Sequence, residues 1–210
     1  MTKIKICGIK TLADALAAIE AGADYLGFNF YPKSVRFIEK AACAEIASVL
    51  KREHLQIKLV GVFVNASVEE IKDTLQTCSL DLAQLHGDEP PEMLSALDGK
   101  AFKAFRGIPE KADGFARSEP PAFLLDASVK GVYGGSGVTA DWTAAAELAK
   151  KYPLLLAGGL TPENVAEAVC RVKPWGVDVA SGVESTPGQK DAEKMVQFVR
   201  EVRKAESGKW

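Results

Sequence analysis

The sequence predicts a single-domain (β/α)8 barrel over residues 1–210, with phosphate-binding loops after strands seven and eight. Three observations carry the architecture. Short β-rich runs alternate with helical patterns along the whole chain, which implies parallel strands joined by right-handed crossovers. Eight such runs can be placed, with starts 19 to 33 residues apart. The first run is followed by CGIKT rather than the GxGxxG expected of an open doubly wound sheet. Eight βα units that close on themselves make a barrel.

The elements follow in order. KIKICG (3–8) alternates Lys and Ile and stops at Gly8. The helical stretch 11–22 opens on Thr11 as an N-cap and ends at a glycine. YLGFNF (25–30) and KLVGVF (58–63) are the next two strands. Ser67 followed three residues later by Glu70 reads as a capping box opening a helix over 67–76. LAQLHG (82–87), AFKAFRG (101–107) and AFLLDA (122–127) give strands four to six, and LLLAGGL (154–160) gives the seventh. The stretch 161–172 is a helix with Thr161 as cap and Pro162 at its first position. GVDVAS (176–181) is strand eight. The last helix, 191–205, carries Met195, Phe198 and Val202 at helical spacing, a face to pack inward.

Composition narrows the function. Of 210 residues, 47% are hydrophobic and 26% charged, with a formal net charge of −2, an ordinary globular balance without a basic stripe for nucleic acid. No apolar run approaches the ~18 residues of a membrane span. The N-terminus has no apolar h-region of a signal peptide. The four cysteines are scattered without a CxxC pair. That argues against a metal site or a disulfide framework, and for a cytoplasmic, reducing setting.

In a barrel the chemistry sits where strands end. Polar residues close several otherwise apolar runs: Cys7 on strand one, Asn29 on two, His86 on four, Asp126 on six, and Asp178 and Ser181 on eight. Five strand ends converging on one rim point to a site rather than to scattered structural polar groups. The glycine loops Gly158-Gly159 and Ser181-Gly182 follow strands seven and eight, where backbone N–H groups can approach a phosphate. The long glycine-rich loop 127–142 is expected to fold over the substrate and exclude water.

KICGIK, YLGFNFYPKSVRFI (25–38), AQLHGDE (83–89), LLDA followed by GGSG, LLAGGL and GVDVASGVE resemble the phosphoribosylanthranilate isomerase family of tryptophan biosynthesis. The resemblance runs nearly end to end. It implies a barrel without cofactor or metal that converts N-(5-phosphoribosyl)anthranilate to the aminodeoxyribulose phosphate by an Amadori rearrangement. It implies Cys7 as general base, Asp126 as general acid and Arg36 as the residue meeting the anthranilate carboxylate. Gly158, Gly159, Ser181 and Gly182 match the phosphate site; His86 and Asp178 match pocket-lining positions. The partner implied is a small phosphorylated substrate, with no nucleic acid or membrane, on a monomer or homodimer. A related phosphate-binding barrel lyase, such as indole-glycerol-phosphate synthase, is the alternative. A non-catalytic phosphosugar-binding protein would keep the glycine loops but needs neither Cys7 nor Asp126.

The chemistry asks for protonation states that free side chains do not supply. A carboxyl donating a proton must hold one, and burial of Asp126 among Phe123, Leu124 and Leu125 is expected to favour its neutral form. An ordinary thiol is only a few per cent thiolate at neutral pH. Lys5 shares parity with Cys7, so it either favours the thiolate or pairs with Asp178 and props the barrel. Cys43, Cys78 and Cys170 read as core.

Overall fold

A computed structural model describes residues 1–54, 56–117, 119–126 and 142–208. The eight expected strands are present: β1 (Lys3–Cys7), β2 (Tyr25–Asn29), β3 (Lys58–Phe63), β4 (Leu82–Leu85), β5 (Ala101–Arg106), β6 (Phe123–Asp126), β7 (Leu155–Ala157) and β8 (Gly176–Val179). All are parallel, each pairs with the next, and β8 returns to β1, closing the barrel. Its seam is in register at Lys5 opposite Asp178. The helices are α1 (Leu12–Ala21), α2 (Lys40–Glu53), α3 (Val68–Thr77), α4 (Pro91–Ala96), α5 (Trp142–Ala149), α6 (Val165–Val172) and α7 (Ala192–Glu206). A hairpin absent from the sequence reading, β9 (Glu184–Thr186) with β10 (Gln189–Lys190), sits between β8 and α7. The loop expected to close over the substrate, 127–142, lies outside the described residues except for Trp142, which opens α5.

Strand parity sorts the side chains into two layers. Val60, Phe102, Ala104, Leu124, Leu155 and Ala157 fill the barrel interior, with Tyr25, Leu82 and Trp175 against them. The alternate residues, among them Ile4, Ile6, Leu59, Phe123 and Leu125, join the larger core beneath the helices. The caps work as the sequence implies. Thr11 Oγ1 accepts from the Asp14 N–H at 3.0 Å, and Ser67 Oγ from the Glu70 N–H at 3.1 Å. Gly22 ends α1 in the left-handed region at φ 105°. In α7 the apolar face Met195, Phe198 and Val202 is buried.

Two elements differ from expectation. Residues 162–164 form a turn, and α6 starts at Val165 rather than at Pro162. The Asn164 side chain closes that turn, accepting from the Thr161 N–H at 2.8 Å and donating to the Gly159 carbonyl at 2.9 Å. Between β5 and β6 the described residues hold only a 3-10 turn, Asp113–Phe115, where the unit pattern asks for a helix. Pro109, Gly114, Pro120 and Pro121 interrupt the segment, and each proline removes a backbone donor.

One buried ion pair fixes the upper loops. Lys103 faces the helix layer between two inward residues, Phe102 and Ala104. Its Nζ donates to Glu89 Oε2 at 2.8 Å and to the Gly87 carbonyl at 2.6 Å. Glu89 Oε1 accepts from the Asn65 N–H at 2.8 Å, tying the β3 and β4 loops together. Burial alone would raise the Glu89 carboxyl, but Lys103 and the Asn65 N–H hold it below the usual carboxylate value. Replacing Lys103→Met strands a buried carboxylate, so urea melts should show a loss of about 3–5 kcal/mol, with much of it recovered in Lys103→Met/Glu89→Gln. A folded value below the unfolded 4.5 makes this contribution fully present above that pH, so the wild-type advantage over the double variant should shrink as pH falls below it.

Candidate active site

A cavity of about 260 Å³ opens at the C-terminal mouth of the barrel. Cys7, Asn29, Arg36, His86, Asp126, Gly158, Gly159, Asp178 and Ser181 all line it, so the structure brings together almost every residue expected there. Gly182 is the exception: it is not part of the cavity wall. A Cβ on Gly182 would overlap the Leu160 carbonyl oxygen, so this glycine lets the β8 loop pack on the β7 loop. Gly158 and Gly159 do line the cavity, at φ 102° and 65°. Asn164 braces the same loop from behind.

The Cys7 side of the cavity rests on a buried charge. Lys5 is fully buried and donates to Asp178 Oδ1 at 2.8 Å. Burial alone would push its ammonium down, but Asp178, with Cys7 adding to it, holds it above the ordinary lysine value. Lys5 therefore stays a cation, paired with Asp178 as the barrel-propping alternative requires, with its charge also acting on Cys7. Gly27 on β2 makes room for both: a Cβ there would stand 2.7 Å from Cys7 Sγ and 3.1 Å from Lys5 Nζ.

Across the mouth lie Asp126 and His86. The apolar surround expected for Asp126 needs correction, because strand parity sends Phe123 and Leu125 outward under the helices. Only Leu124 shares the interior with Asp126, which is half-buried at the cavity wall. Burial, with Arg106 adding, pushes His86 below the ordinary imidazole value, so the ring is neutral at pH 7. Gln84 Nε2 lies 3.1 Å from His86 Nδ1. Arg106 ends β5 opposite Asp126 in the register and donates to the His86 carbonyl at 3.3 Å.

Arg36 enters from the β2–α2 loop. Its Nε donates to Glu184 Oε1 and its Nη2 to Glu184 Oε2, both at 2.7 Å. The fork expected to meet a substrate carboxylate thus already holds one belonging to the hairpin. Lys190 Nζ donates to the same Glu184 Oε1 at 2.8 Å.

The family described as N-(5'phosphoribosyl)anthranilate (PRA) isomerase matches residues 4–201. The chain belongs to the phosphoribosylanthranilate isomerase family. Among its relatives, the N-(5'-phosphoribosyl)anthranilate isomerase of Geotalea daltonii is 49% identical over 97% of each chain. The phosphoribosyl anthranilate isomerase of Thermotoga maritima has a crystal structure that superposes with a TM-score of 0.84 at 38% identity, covering 97% of this chain and 99% of that one. A phosphoribosyl anthranilate isomerase solved in complex with reduced 1-(o-carboxyphenylamino)-1-deoxyribulose 5-phosphate superposes at 0.81 with 36% identity, covering 97% and 99% of the two chains.

Reading this isomerase-family sequence by strand ends missed four residues at the mouth. Gln84 lies two residues before His86 on the same inward parity, a signal the sequence carries. Arg106 follows Phe102 and Ala104 in the same way. Glu184 and Lys190 lie beyond β8 on a hairpin, and no periodicity marks them. The space at Gly27 yields a direct prediction. Gly27→Ala should lower kcat/KM by about 10²-fold and also lower the urea midpoint, since a methyl there displaces Cys7 Sγ and crowds the Cys7 backbone and Lys5 Nζ. Steady-state kinetics beside a melt would check it.

Proposed function

We propose that this chain isomerises N-(5'-phosphoribosyl)anthranilate to 1-(2-carboxyphenylamino)-1-deoxyribulose 5-phosphate, with Asp126 as general acid and Cys7 as general base. The observation that carries the reading is that Cys7 on β1 and Asp126 on β6 line one cavity from different sides of the barrel. Asp126 gives its proton to the ribose ring oxygen as the C1–O bond breaks, leaving a protonated Schiff base between C1 and the anthranilate nitrogen. That cation makes the C2 proton acidic, and the Cys7 thiolate removes it. The C2–H electron pair forms the C1–C2 double bond of an enol, while the former C=N pair returns to nitrogen. The enol then becomes the ketone as C1 gains a proton. An acid and a base on opposite faces of one sugar serve both halves without any group having to move.

The remaining contacts fit the same substrate. Gly158, Gly159 and Ser181 line the cavity on loops whose backbone can approach a phosphate. Arg36 lines it on another side and suits the anthranilate carboxylate. His86, a neutral imidazole lining the cavity, suits a sugar hydroxyl. All four cysteines are free thiols, in keeping with a cytoplasmic enzyme. Among the described residues no helix is long and apolar enough to cross a membrane. A barrel lyase is not favoured, because the similarity to named isomerases covers nearly the whole chain.

Two measurements test this. The fluorescence of phosphoribosylanthranilate should fall when protein is added, and Cys7→Ser and Asp126→Asn should each lower the rate by about 10²–10⁴-fold. Either variant keeping its wild-type rate would remove that residue from the mechanism. Separately, iodoacetamide should alkylate Cys7 several-fold more slowly at neutral pH in Lys5→Met/Asp178→Asn than in wild type. An unchanged rate leaves Lys5 as a support for the seam alone.

A further inference from the structure

The steps above give no task to the most tightly held carboxylate of the mouth. Glu184 opens β9, with its side chain 3% exposed. Its two oxygens meet Arg36 Nε and Nη2, while Lys190 and the Gly188 N–H donate to Oε1 and Oε2 at 2.8 and 3.1 Å. Lys190 Nζ also donates to the Ala180 carbonyl at 2.9 Å. The carboxylate is therefore saturated by protein donors and offers nothing to a ligand.

What it does to Arg36 is specific. A guanidinium has two edges that can each hold a carboxylate by two parallel bonds. Glu184 takes the Nε–Nη2 edge. The other edge keeps Nη1, which makes no hydrogen bond among the described residues, and the second Nη2 hydrogen. The arginine stem is confined as well. A Cβ on Gly8, at φ 83°, would stand 2.5 Å from Arg36 Cδ, so the stem lies flat on the loop that follows Cys7. On the other side, a Cβ on Gly188 would stand 2.8 Å from the Val35 carbonyl oxygen, so the hairpin tip packs on the residue before Arg36.

Charge decides whether such an arginine can still attract an anion. Glu184 paired with Arg36 alone would present a neutral couple to the cavity. Lys190, with a side chain 1% exposed, offsets the carboxylate and leaves a net positive charge on the group. Resting on the proposed function, we propose that Glu184, balanced by Lys190, is a positioning residue that presents the outer edge of Arg36 to the anthranilate carboxylate and so sets selectivity for a carboxylated aminoaldose phosphate. Burial would raise the Glu184 carboxyl, but Arg36 and Lys190 hold it at about 2, so it stays ionised; burial pushes Lys190 below the ordinary lysine value, against the pull of Glu184.

The rival role is a plain staple between the β2 and β8 loops. The test uses the full chain and two aminoaldoses, phosphoribosylanthranilate and the phosphoribosylaniline that lacks the carboxylate. Wild type should prefer the first, and Arg36→Met should lose that preference. Glu184→Gln should lose roughly tenfold of it, through KM rather than kcat. In an Arg36→Met background Glu184→Gln should change the preference no further, because it acts through the arginine. Glu184→Gln/Lys190→Met removes carboxylate and counter-cation together, and it should show the same loss if the single variant folds poorly. The proposal is overturned if Glu184→Gln lowers both substrates alike, or acts as strongly without Arg36. Wild type that turns over neither substrate overturns the assigned reaction itself, a result distinct from either.

Discussion

The barrel closes on a lysine that has no access to water. Lys5 sits at the β1–β8 seam with Asp178 opposite it in the register, 2.8 Å away. Taking an ammonium out of water costs several kcal/mol, so this cation is tolerable only with its carboxylate in place. The consequence reaches the chemistry. Strand parity puts Cys7 two residues above Lys5 on the same inward face, and a glycine on β2 leaves the volume both groups need. Seam, cation and thiol are thus one arrangement, and none of the three can shift by a residue without turning the others to the helix layer.

This explains which parts of the protein were legible in its sequence. The eight strands could be read because a parallel barrel buries both faces of each strand, which writes continuous apolar runs such as Phe123-Leu124-Leu125. The same runs misled about Asp126. A count of apolar neighbours along the chain treats three residues as its surroundings, whereas the pleat gives it only Leu124. Local chain neighbours describe a strand residue poorly, and residues two apart describe it well. The rule that finds Lys5 beneath Cys7 also finds Gln84 beneath His86.

Loops were legible only where backbone chemistry forced a residue type. The glycines after β7 and β8 stood out, yet they serve two purposes that look alike in sequence. Gly158 and Gly159 line the cavity at positive φ, while Gly182 is small because another loop's carbonyl occupies the place of its Cβ. Pro162 suits a first turn, which would place Asn164 inside a helix. The Asn164 amide instead bridges Gly159 and Thr161 and delays the helix to Val165. A side chain that can satisfy two backbone groups at once competes with the helix it precedes.

The hairpin between β8 and α7 was least legible, since strands of three and two residues leave no periodic trace. It is nonetheless where the charge of the mouth is balanced. Each buried carboxylate there has a buried lysine of its own: Lys5 for Asp178, Lys190 for Glu184. Had Asp178 and Glu184 been left unmatched, they would repel a substrate carrying a phosphate and a carboxylate, and in a cavity walled by Leu124 and Val62 that repulsion would be screened little by water. With both matched internally, Arg36 is the cation that lines the cavity among the described residues. An anionic substrate therefore meets Arg36 without two unmatched carboxylates beside it, although the chain as a whole carries −2. The lysines that make the difference are buried, where only coordinates reveal them.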